Sequence, residues 1–175
     1  LPLAATALIP IFVTGTRGNG SGALVKGVRE QDLQGRKLIA DAIVAGALKD
    51  FVADDDVAVI GERLADAVGA GVGSEITLIS PQTQSTLMGA IPRIKTYRVV
   101  ALFNVGMTQY DSGIVFIPLE SAQIYFRKKE GATDVEIMAQ NILDVPKLKP
   151  AICGALGGKL DLAGRSSAYC TAGAT

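Results

Sequence analysis

Residues 74–103 read SEITLISPQTQSTLMGAIPRIKTYRVVALF, and this stretch decides the fold. Apolar and polar residues alternate over 74–80 and again over 94–103, as they do in half-buried strands. The segment between them, residues 81–92, runs from proline to proline, whereas most hairpin connections have about two to five residues. Its larger apolar residues are Leu87, Met88 and Ile91. Because a merely solvated loop has little reason to carry such residues, we predict a long loop that projects as an arm and touches another protein.

The composition favours one folded domain, or two small subdomains that share a core, without a conventional enzymatic site. The chain has 175 residues, of which 49% are apolar, and this is enough for a sizeable core. Lysine plus arginine equals aspartate plus glutamate at 17 each, so the chain lacks the net positive charge typical of nucleic-acid-binding proteins. It has no histidine, the commonest general base and metal ligand. These features argue against a nucleic-acid partner and a Ser-His-Asp hydrolase.

The sequence contains no apolar run of the roughly 18 residues that a membrane-spanning helix needs. The apolar start, residues 1–13, is interrupted by Pro2 and Pro10 and lacks the basic region of a signal peptide. Since the chain begins with leucine instead of methionine, we expect it to be a fragment of a longer protein.

Three sequence features could suggest a metal or cofactor, and each has a simpler interpretation. The carboxylates of Asp54–Asp56 lack the alternate spacing of a calcium loop, so we interpret them as a solvated turn. Gly157–Leu160 resembles the end of a P-loop but lacks the Ser or Thr that would bind magnesium. The glycine-rich segment 15–22 precedes a strand-like segment, whereas a dinucleotide-binding fingerprint opens a helix. The sequence therefore predicts no cofactor and no metal site.

The two cysteines, Cys153 and Cys170, lie near the C-terminus. One disulfide in an oxidising compartment and two separate thiols both agree with the sequence. A zinc site is disfavoured because its other usual ligands are missing. The last residues, 164–175, are small and polar without periodicity, and we expect them to be poorly ordered.

Short strands and short helices alternate along the chain. Strands are predicted over 3–13, 22–28, 57–60, 74–80, 94–103, 114–117 and 133–138. Helices are predicted over 31–51, with breaks at Gly35 and Gly46, and over 61–68, 118–127 and 145–156, while 104–113 is turn-like. Because hairpin-like connections interrupt a simple parallel winding, the pattern favours an α+β fold with a mixed sheet over a doubly wound fold.

Several blocks of this chain, in one order and spacing, resemble a known family. The blocks are Val25–Val28, Val59–Ala65, Val72–Pro81, Met88–Arg93, Arg98–Phe103, Gly106–Gly113 and Leu119–Gln123. Together they cover roughly residues 20–140 and are similar to the LolC/LolE family of lipoprotein-releasing ABC transporter permeases.

The resemblance implies that residues 1–175 form a periplasmic domain between the first and second transmembrane helices of an inner-membrane permease. The implied fold is a MacB-like periplasmic core with two α+β subdomains, mixed sheets and a protruding β-hairpin arm. In this family the transporter extracts lipoproteins from the inner membrane and passes them to the periplasmic chaperone LolA. ATP hydrolysis belongs to a separate cytoplasmic subunit, LolD, so no catalytic residue is implied here. The implied partners are a LolA-type chaperone, a lipoprotein, a LolD-type ATPase and a partner permease subunit.

In LolC-type members, a proline-bounded hairpin arm called the Hook recruits LolA, with a methionine near its tip as an important contact. The resemblance assigns residues 81–92 to this arm and Met88 to that contact. A polar and basic surface beside the arm also contacts the chaperone; Lys95 falls at a matching basic position, whereas Thr77 stands where an arginine is expected. The partner-binding residues that follow are Pro81, Leu87, Met88, Gly89, Ile91, Pro92, Arg93 and Lys95.

Two other interpretations stay open at this point. The periplasmic domain of a MacB-like efflux permease would dock an adaptor protein, although such a permease has no reason to keep a Met-Gly-x-Ile-Pro arm. A secreted hydrolase that uses a Ser–Lys pair is the alternative from another class. The type of permease subunit also stays open, because Gly106–Gly113 is closer to LolE-like and combined members.

Overall fold

The structure is a computed structural model that describes residues 3–6, 8–16, 18–52, 55–86, 89–127 and 134–137. The chain divides into two compact units. One unit, Pro2–Glu136, contains the described strands and helices up to the penultimate residue of the last strand. The other unit, residue 1 with Ile137–Thr175, lies outside the described residues except for Ile137.

The described part of the chain contains nine strands. They are β1 (Leu3–Thr6), β2 (Leu8–Gly15), β3 (Gly20–Val28), β4 (Ile43–Gly46), β5 (Val57–Gly61), β6 (Glu75–Thr86), β7 (Gly89–Phe103), β8 (Ile114–Pro118) and β9 (Asp134–Ile137). Most of them match the strands predicted from alternation and apolar runs, because their buried residues follow the predicted periodicity.

The helices are short and connect the strands. They are α1 (Glu30–Gln34), α2 (Lys37–Ala40), a 3-10 turn (Leu48–Asp50), α3 (Glu62–Val68), α4 (Thr108–Gly113) and α5 (Leu119–Phe126). The predicted helices 61–68 and 118–127 are confirmed by α3 and α5. Helix α3 begins with an acidic residue, Glu62, whose charge is stabilised by the positive end of the helix dipole. The helix is followed by Gly69, which caps it with a φ of 68° that favours glycine.

Six strands pair in a closed ring. Strand β5 pairs with β8, β8 with β3, β3 with β2, β2 with β6, β6 with β7, and β7 returns to β5. The pairs β3–β8 and β5–β7 are parallel and the other four are antiparallel, so the predicted mixed sheet is confirmed. Strand β4 joins the outside of the ring through the end of β7, and β1 with β9 forms a separate two-stranded sheet.

Two apolar cores lie on opposite sides of the ring strands. The inner core receives buried side chains from all six ring strands, together with Leu64 of α3 and Tyr125 of α5. The outer core lies between β5, β7 and β8 on one side and the α1–α2 segment on the other, and it contains Phe51, Phe103 and Phe116. Alternate residues of a strand point to opposite faces, so β5 and β8, whose residues are all buried, supply both cores.

In the segment 81–92, which we name the arm, residues 84–86 of β6 pair with residues 89–91 of β7, so the loop predicted from its residues was wrong. This pairing agrees with the β-hairpin that the resemblance implied. Strand β6 continues to Thr86 and β7 begins at Gly89, with Gln84 opposite Ile91. A register irregularity between Ser80 and Gln84 accommodates the arm within the hairpin. The polar Gln-Thr-Gln-Ser sequence has no apolar alternation, so periodicity does not predict these strands, although backbone pairing does not require an apolar face.

In the described structure, the arm strands pair only with each other. Strand β2 pairs with β6 over Ile76–Ile79, and β5 pairs with β7 from Arg98 onward. The arm is therefore a two-stranded ribbon that continues beyond the ring, and we name its attachment, residues 75–80 and 93–98, the arm base. An isolated two-stranded hairpin is only marginally stable, so the arm base has to hold it.

The segment 31–51 differs from the predicted helix. It contains α1 and α2, but Ile43–Gly46 forms strand β4 and pairs with the end of β7. The β-branched residues Ile43 and Val44 favour a strand. Gly46 has a φ of 79°, and a β-carbon at this position would collide with the carbonyl oxygen of Val100. The close approach of these two backbones explains the glycine.

The segment 104–113 is not entirely turn-like, because Thr108–Gly113 forms α4. The backbone N–H of Val105 donates to Oδ1 of Asp111 over 2.8 Å, which fixes the preceding loop against the helix. The buried Asp111 backbone also packs on Gly61 at the end of β5. Such a short helix is stabilised by tertiary contacts, which periodicity cannot reveal.

Some predictions fall outside the described residues. These are the state of Cys153 and Cys170, the helix over 145–156, the P-loop-like Gly157–Leu160, the tail 164–175, and the positions of Leu87 and Met88. They stay predictions.

Candidate partner-docking site

The arm base has two faces of different chemistry, because successive strand residues point to opposite sides of the sheet. On the outer face, the opposed pairs are Thr77 with Thr96 and Ile79 with Ile94. On the inner face, Lys95 is opposite Leu78, which is fully buried in the inner core. Thr77 and Lys95, which the sequence comparison assigned to one chaperone-binding surface, therefore lie on opposite faces.

Three apolar residues, which we name the outer row, run side by side across the outer face. Phe12 of β2 is opposite Ile79 of β6, which is opposite Ile94 of β7. The exposed fractions of Phe12 and Ile94 are 49% and 62%. Because directly opposed residues have β-carbons about 4.5–5.5 Å apart, the outer row places three apolar residues next to one another at the root of the arm. Contiguous exposed apolar surface is typical of a contact with another molecule.

The inner face carries a charged residue that is engaged within the domain. Nζ of Lys95 lies 2.6 Å from Oδ1 of Asp56 and donates to the Ser121 hydroxyl over 3.0 Å. The ammonium also lies 5.2 Å from the centroid of the Tyr97 ring. Lys95 therefore links the arm base to the segment before β5 and to α5.

Ser121 is at the centre of this group. Its hydroxyl donates to Oδ1 of Asp56 over 2.9 Å and lies 3.2 Å from the hydroxyl of Tyr97. Ser121 is buried, so these contacts replace the water that its hydroxyl would otherwise bind. Together with Lys95 they form one polar network beneath the arm base.

Tyr125, one turn further along α5, contacts both strands of the arm base. Its hydroxyl lies 3.1 Å from the carbonyl oxygen of Leu78 in β6 and 3.2 Å from that of Arg93 in β7. In return, Nη1 of Arg93 donates to the carbonyl oxygen of Tyr125 over 3.4 Å. The rings of Tyr125 and Tyr97 meet edge to face at 6.5 Å. Helix α5 thus holds the arm base through hydrogen bonds and aromatic packing.

Burial changes the acidity of both tyrosines. Burial raises the pKa of Tyr97 well above its usual value, partly offset by its contact with Ser121. Burial raises the pKa of Tyr125 to about 12, partly offset by a backbone hydrogen bond from Ser80 and by the charge of Arg93. Both phenols therefore keep their protons, and with them their hydrogen bonds, at neutral pH.

The structure brings together only some of the predicted partner-binding residues. Gly89 opens β7, and the backbones of Pro81 and Ile91 belong to the arm strands. Pro92, the last residue of the arm, is exposed, whereas Arg93 and Lys95 turn inward to α5. Leu87 and Met88 lie between the two arm strands in sequence and outside the described residues.

Four residues of this site escaped sequence reasoning: Phe12, Asp56, Ser121 and Tyr125. Asp56 had been interpreted as part of a solvated turn, and its ion pair with Lys95 corrects that interpretation. Phe12 could have been recognised as an outward-facing residue, because in strand β2 it stands between Ile11 and Val13, which are both buried. The other three become neighbours only through the tertiary fold.

Comparison with known proteins gives this fold a family. Residues 1–152 match the family model described as the MacB-like periplasmic core domain. The chain belongs to this family. The resemblance seen in the sequence blocks is thereby confirmed at the level of the family.

Two curated relatives of this MacB-like periplasmic core domain are LolC proteins. It is 27% identical over 115 residues to the "Lipoprotein-releasing system transmembrane protein LolC" of Neisseria meningitidis serogroup B (strain ATCC BAA-335 / MC58), covering 65% of this chain and 28% of that protein. It is 28% identical over 127 residues to the LolC protein of Xylella fastidiosa (strain Temecula1 / ATCC 700964), covering 67% of this chain and 30% of that protein. The chain thus spans less than a third of these relatives' length.

Solved structures share the fold of this MacB-like periplasmic core domain. The periplasmic region of MacB from Actinobacillus actinomycetemcomitans matches with a TM-score of 0.57 at 16% identity, over 92% of this chain and 69% of that one. The extracellular domain of the noncanonic ABC-type transporter YknZ from Gram-positive bacteria matches with a TM-score of 0.57 at 10% identity, over 89% of this chain and 75% of that one. These two matches show the fold, and the family model together with the LolC similarity supports a periplasmic domain of the LolC/MacB type of ABC permease.

Two further observations concern the described residues alone. None of the helices in these ranges is long and apolar enough to cross a membrane. Within the same ranges, no three His, Cys, Asp or Glu side chains group together as a metal site.

Proposed function

We propose that this domain recruits a LolA-type periplasmic chaperone through its arm and hands over lipoproteins that its permease extracts from the inner membrane. The chaperone then carries them toward the outer membrane. The observation that carries the proposal is the two-stranded arm with the outer row at its root. In this proposal the parent protein lies in the inner membrane beside a partner permease subunit. A separate LolD-type subunit hydrolyses ATP in the cytoplasm.

The architecture of the arm suits docking. Its strands are paired backbone to backbone, which limits the conformations that the arm loses when it binds. Pro81 and Pro92 restrict the backbone at the two ends of the arm, which also reduces the conformations that the arm loses on binding. A partly pre-ordered segment gives up less entropy on binding than a flexible loop of equal length.

The chemistry of the arm and its base suits an apolar partner surface. Leu87 and Met88 stand in sequence between the two arm strands, and methionine adapts its flexible, polarizable side chain to an apolar groove. The outer row continues this apolar character onto the ring. A carrier of lipoproteins needs such a groove for acyl chains, so we propose that Met88 inserts there while the outer row meets the rim.

Calorimetric titration of the 175-residue chain with the LolA-type chaperone of its own organism tests this proposal. We expect binding by the wild type and about tenfold or greater weakening by Met88→Ala, with a larger loss for Met88→Glu because the groove would have to desolvate a charge. Met107→Ala is the matched control, because Met107 is 44% exposed before α4, away from the arm in the sequence. No binding by the wild type, or equal binding by all four proteins, would reject the proposal.

A further inference from the structure

Lys95 is placed to hold the arm base rather than to meet a partner. Its side chain is only 24% exposed, and its ammonium is occupied by Asp56, Ser121 and the face of Tyr97. A partner carboxylate at this ammonium would compete with Asp56, which already lies 2.6 Å away. A partner contact at Lys95 would therefore weaken an internal ion pair of the domain.

Tyr125 makes the complementary contact with both strands. Its hydroxyl faces the Leu78 carbonyl of β6 and the Arg93 carbonyl of β7, directly below the point where β6 loses its pairing with β2. A single phenol therefore spans the two strands at the root of the arm.

These contacts hold the arm base, from which the arm extends. Beyond the ring, the described part of the arm has only its own internal pairing, so its orientation depends on what holds residues 93–97 and 78–80 at the base. On the inner side of the base, α5 supplies Ser121 and Tyr125, and Asp56 joins them from the segment before β5. An arm held at a fixed angle has less orientational freedom to lose when it docks.

We infer that Lys95, Asp56, Ser121 and Tyr125 are positioning residues, which orient the arm for its partner without touching that partner. The inference rests on the proposed docking function for its effect on affinity, whereas its effect on the arm itself can be measured without any partner.

Asp56 separates positioning from direct contact. Asp56→Ala would release the Lys95 ammonium, so a lysine that contacts the chaperone directly would bind it equally well or more tightly. Positioning predicts the opposite: Asp56→Ala and Lys95→Met each weaken chaperone binding about three- to tenfold. The double variant should bind the chaperone with about the same affinity as the single variant that binds less tightly. Asp56 is 53% exposed, so its replacement is compatible with folding.

The arm itself provides the readout that does not require a partner. Spin labels at Thr86→Cys on β6 and at Asp66→Cys on α3, in a Cys153→Ser and Cys170→Ser background, report the distance distribution between arm and ring by pulsed electron resonance. We expect Tyr125→Phe and Asp56→Ala to broaden this distribution. Tyr110→Phe, which removes a phenolic hydroxyl next to the outer core, is the matched control and should leave it unchanged.

The outcomes are distinct. Unchanged distributions in both Tyr125→Phe and Asp56→Ala would overturn the inference, as would unchanged or tighter chaperone binding by Asp56→Ala beside weaker binding by Lys95→Met. The wild-type chain could fail to bind the chaperone while Tyr125→Phe and Asp56→Ala still broaden the distance distribution. That result would support positioning of the arm and reject the proposed docking function. Should Tyr125→Phe fail to fold, the exposed Asp56 variant decides alone.

Discussion

Nζ of Lys95 lies 2.6 Å from Oδ1 of Asp56, and this pair fastens the arm base to the segment that precedes β5. The pair is partly exposed, so we expect Lys95→Met and Asp56→Ala each to lower the free energy of unfolding by about 0.5–1 kcal/mol. The double variant should lose less than the sum, because both single variants remove the same interaction. Urea denaturation measures all four proteins, and the coupling should shrink in high salt.

Lys37→Met serves as the control for this cycle, because Lys37 is an exposed lysine on α2. Its effect should stay within about 0.5 kcal/mol. Strictly additive losses at Lys95 and Asp56 would show that the pair contributes nothing to stability.

The outer row predicts a binding defect without a folding defect. Ile94→Asp places a charge in the outer row, and we expect chaperone affinity to fall about tenfold. The melting temperature should hardly change, because Ile94 is 62% exposed in the folded domain. Ile124→Asp is the matched control, since Ile124 is 72% exposed on α5. Equal affinity losses at both positions would argue against a specific contact at the outer row.

The tyrosines beneath the arm base predict an alkaline loss of stability. Burial raises the pKa of Tyr125 to about 12 and also raises that of Tyr97, whereas an unfolded tyrosine ionises near about pH 10. Below that pH both states are protonated and the stabilisation is complete. Above it the unfolded state loses its protons first, so the free energy of unfolding falls as the pH rises from about 10 toward about 12.

Denaturant titrations between pH 8 and pH 12 measure this effect. The fall above about pH 10 should be shallower in Tyr125→Phe and in Tyr97→Phe, since each removes one of the late-ionising groups. It should persist in Tyr110→Phe, in which both of those groups remain. A wild type whose stability stays level across this interval would contradict the prediction.

Alanine substitutions at Gly46 and Gly73 distinguish the cost of a positive φ from the cost of crowding around the new β-carbon. A β-carbon at Gly46 would collide with the Val100 carbonyl and would occupy a residue with a φ of 79°. We expect Gly46→Ala to lower the free energy of unfolding by about 3 kcal/mol. Gly73 has a similar φ of 85° but open space around a β-carbon, so Gly73→Ala should cost only about 1 kcal/mol. Equal losses would mean that β4 shifts away from β7 without cost.

Sequence periodicity predicted the parts of this fold in which burial alternates or is continuous. Strand β5 and helix α3 follow from apolar runs of the right length and spacing, and so do β8 and α5. Strand β4 was missed because Ile43–Gly46 lies within residues of helical composition, and its partner β7 is remote in sequence. Periodicity did not reveal the arm strands, because their polar residues do not alternate with apolar ones, and only the resemblance implied a hairpin there.

The candidate site was predictable only where its chemistry is contiguous in sequence. The prolines and apolar residues of the arm stand together, so they could be recognised as a unit. Lys95 could be recognised as a nearby basic residue, but not as the partner of Asp56 and Ser121, because three separate segments meet there only after folding. The strand phase that turns Lys95 inward also separates it from Thr77, and that phase depends on the register with β6.

The closed ring also determines how the domain responds to a pull or a push. In an open sheet an edge strand can slide after losing one set of backbone hydrogen bonds, whereas each strand of this ring is bonded on both sides over part of its length. A load applied to any ring strand is therefore shared by all six. Because the pairing narrows to two strands beyond the arm base, bending should occur in the arm outward of the residues that Lys95 and Tyr125 hold, while the ring stays stiff.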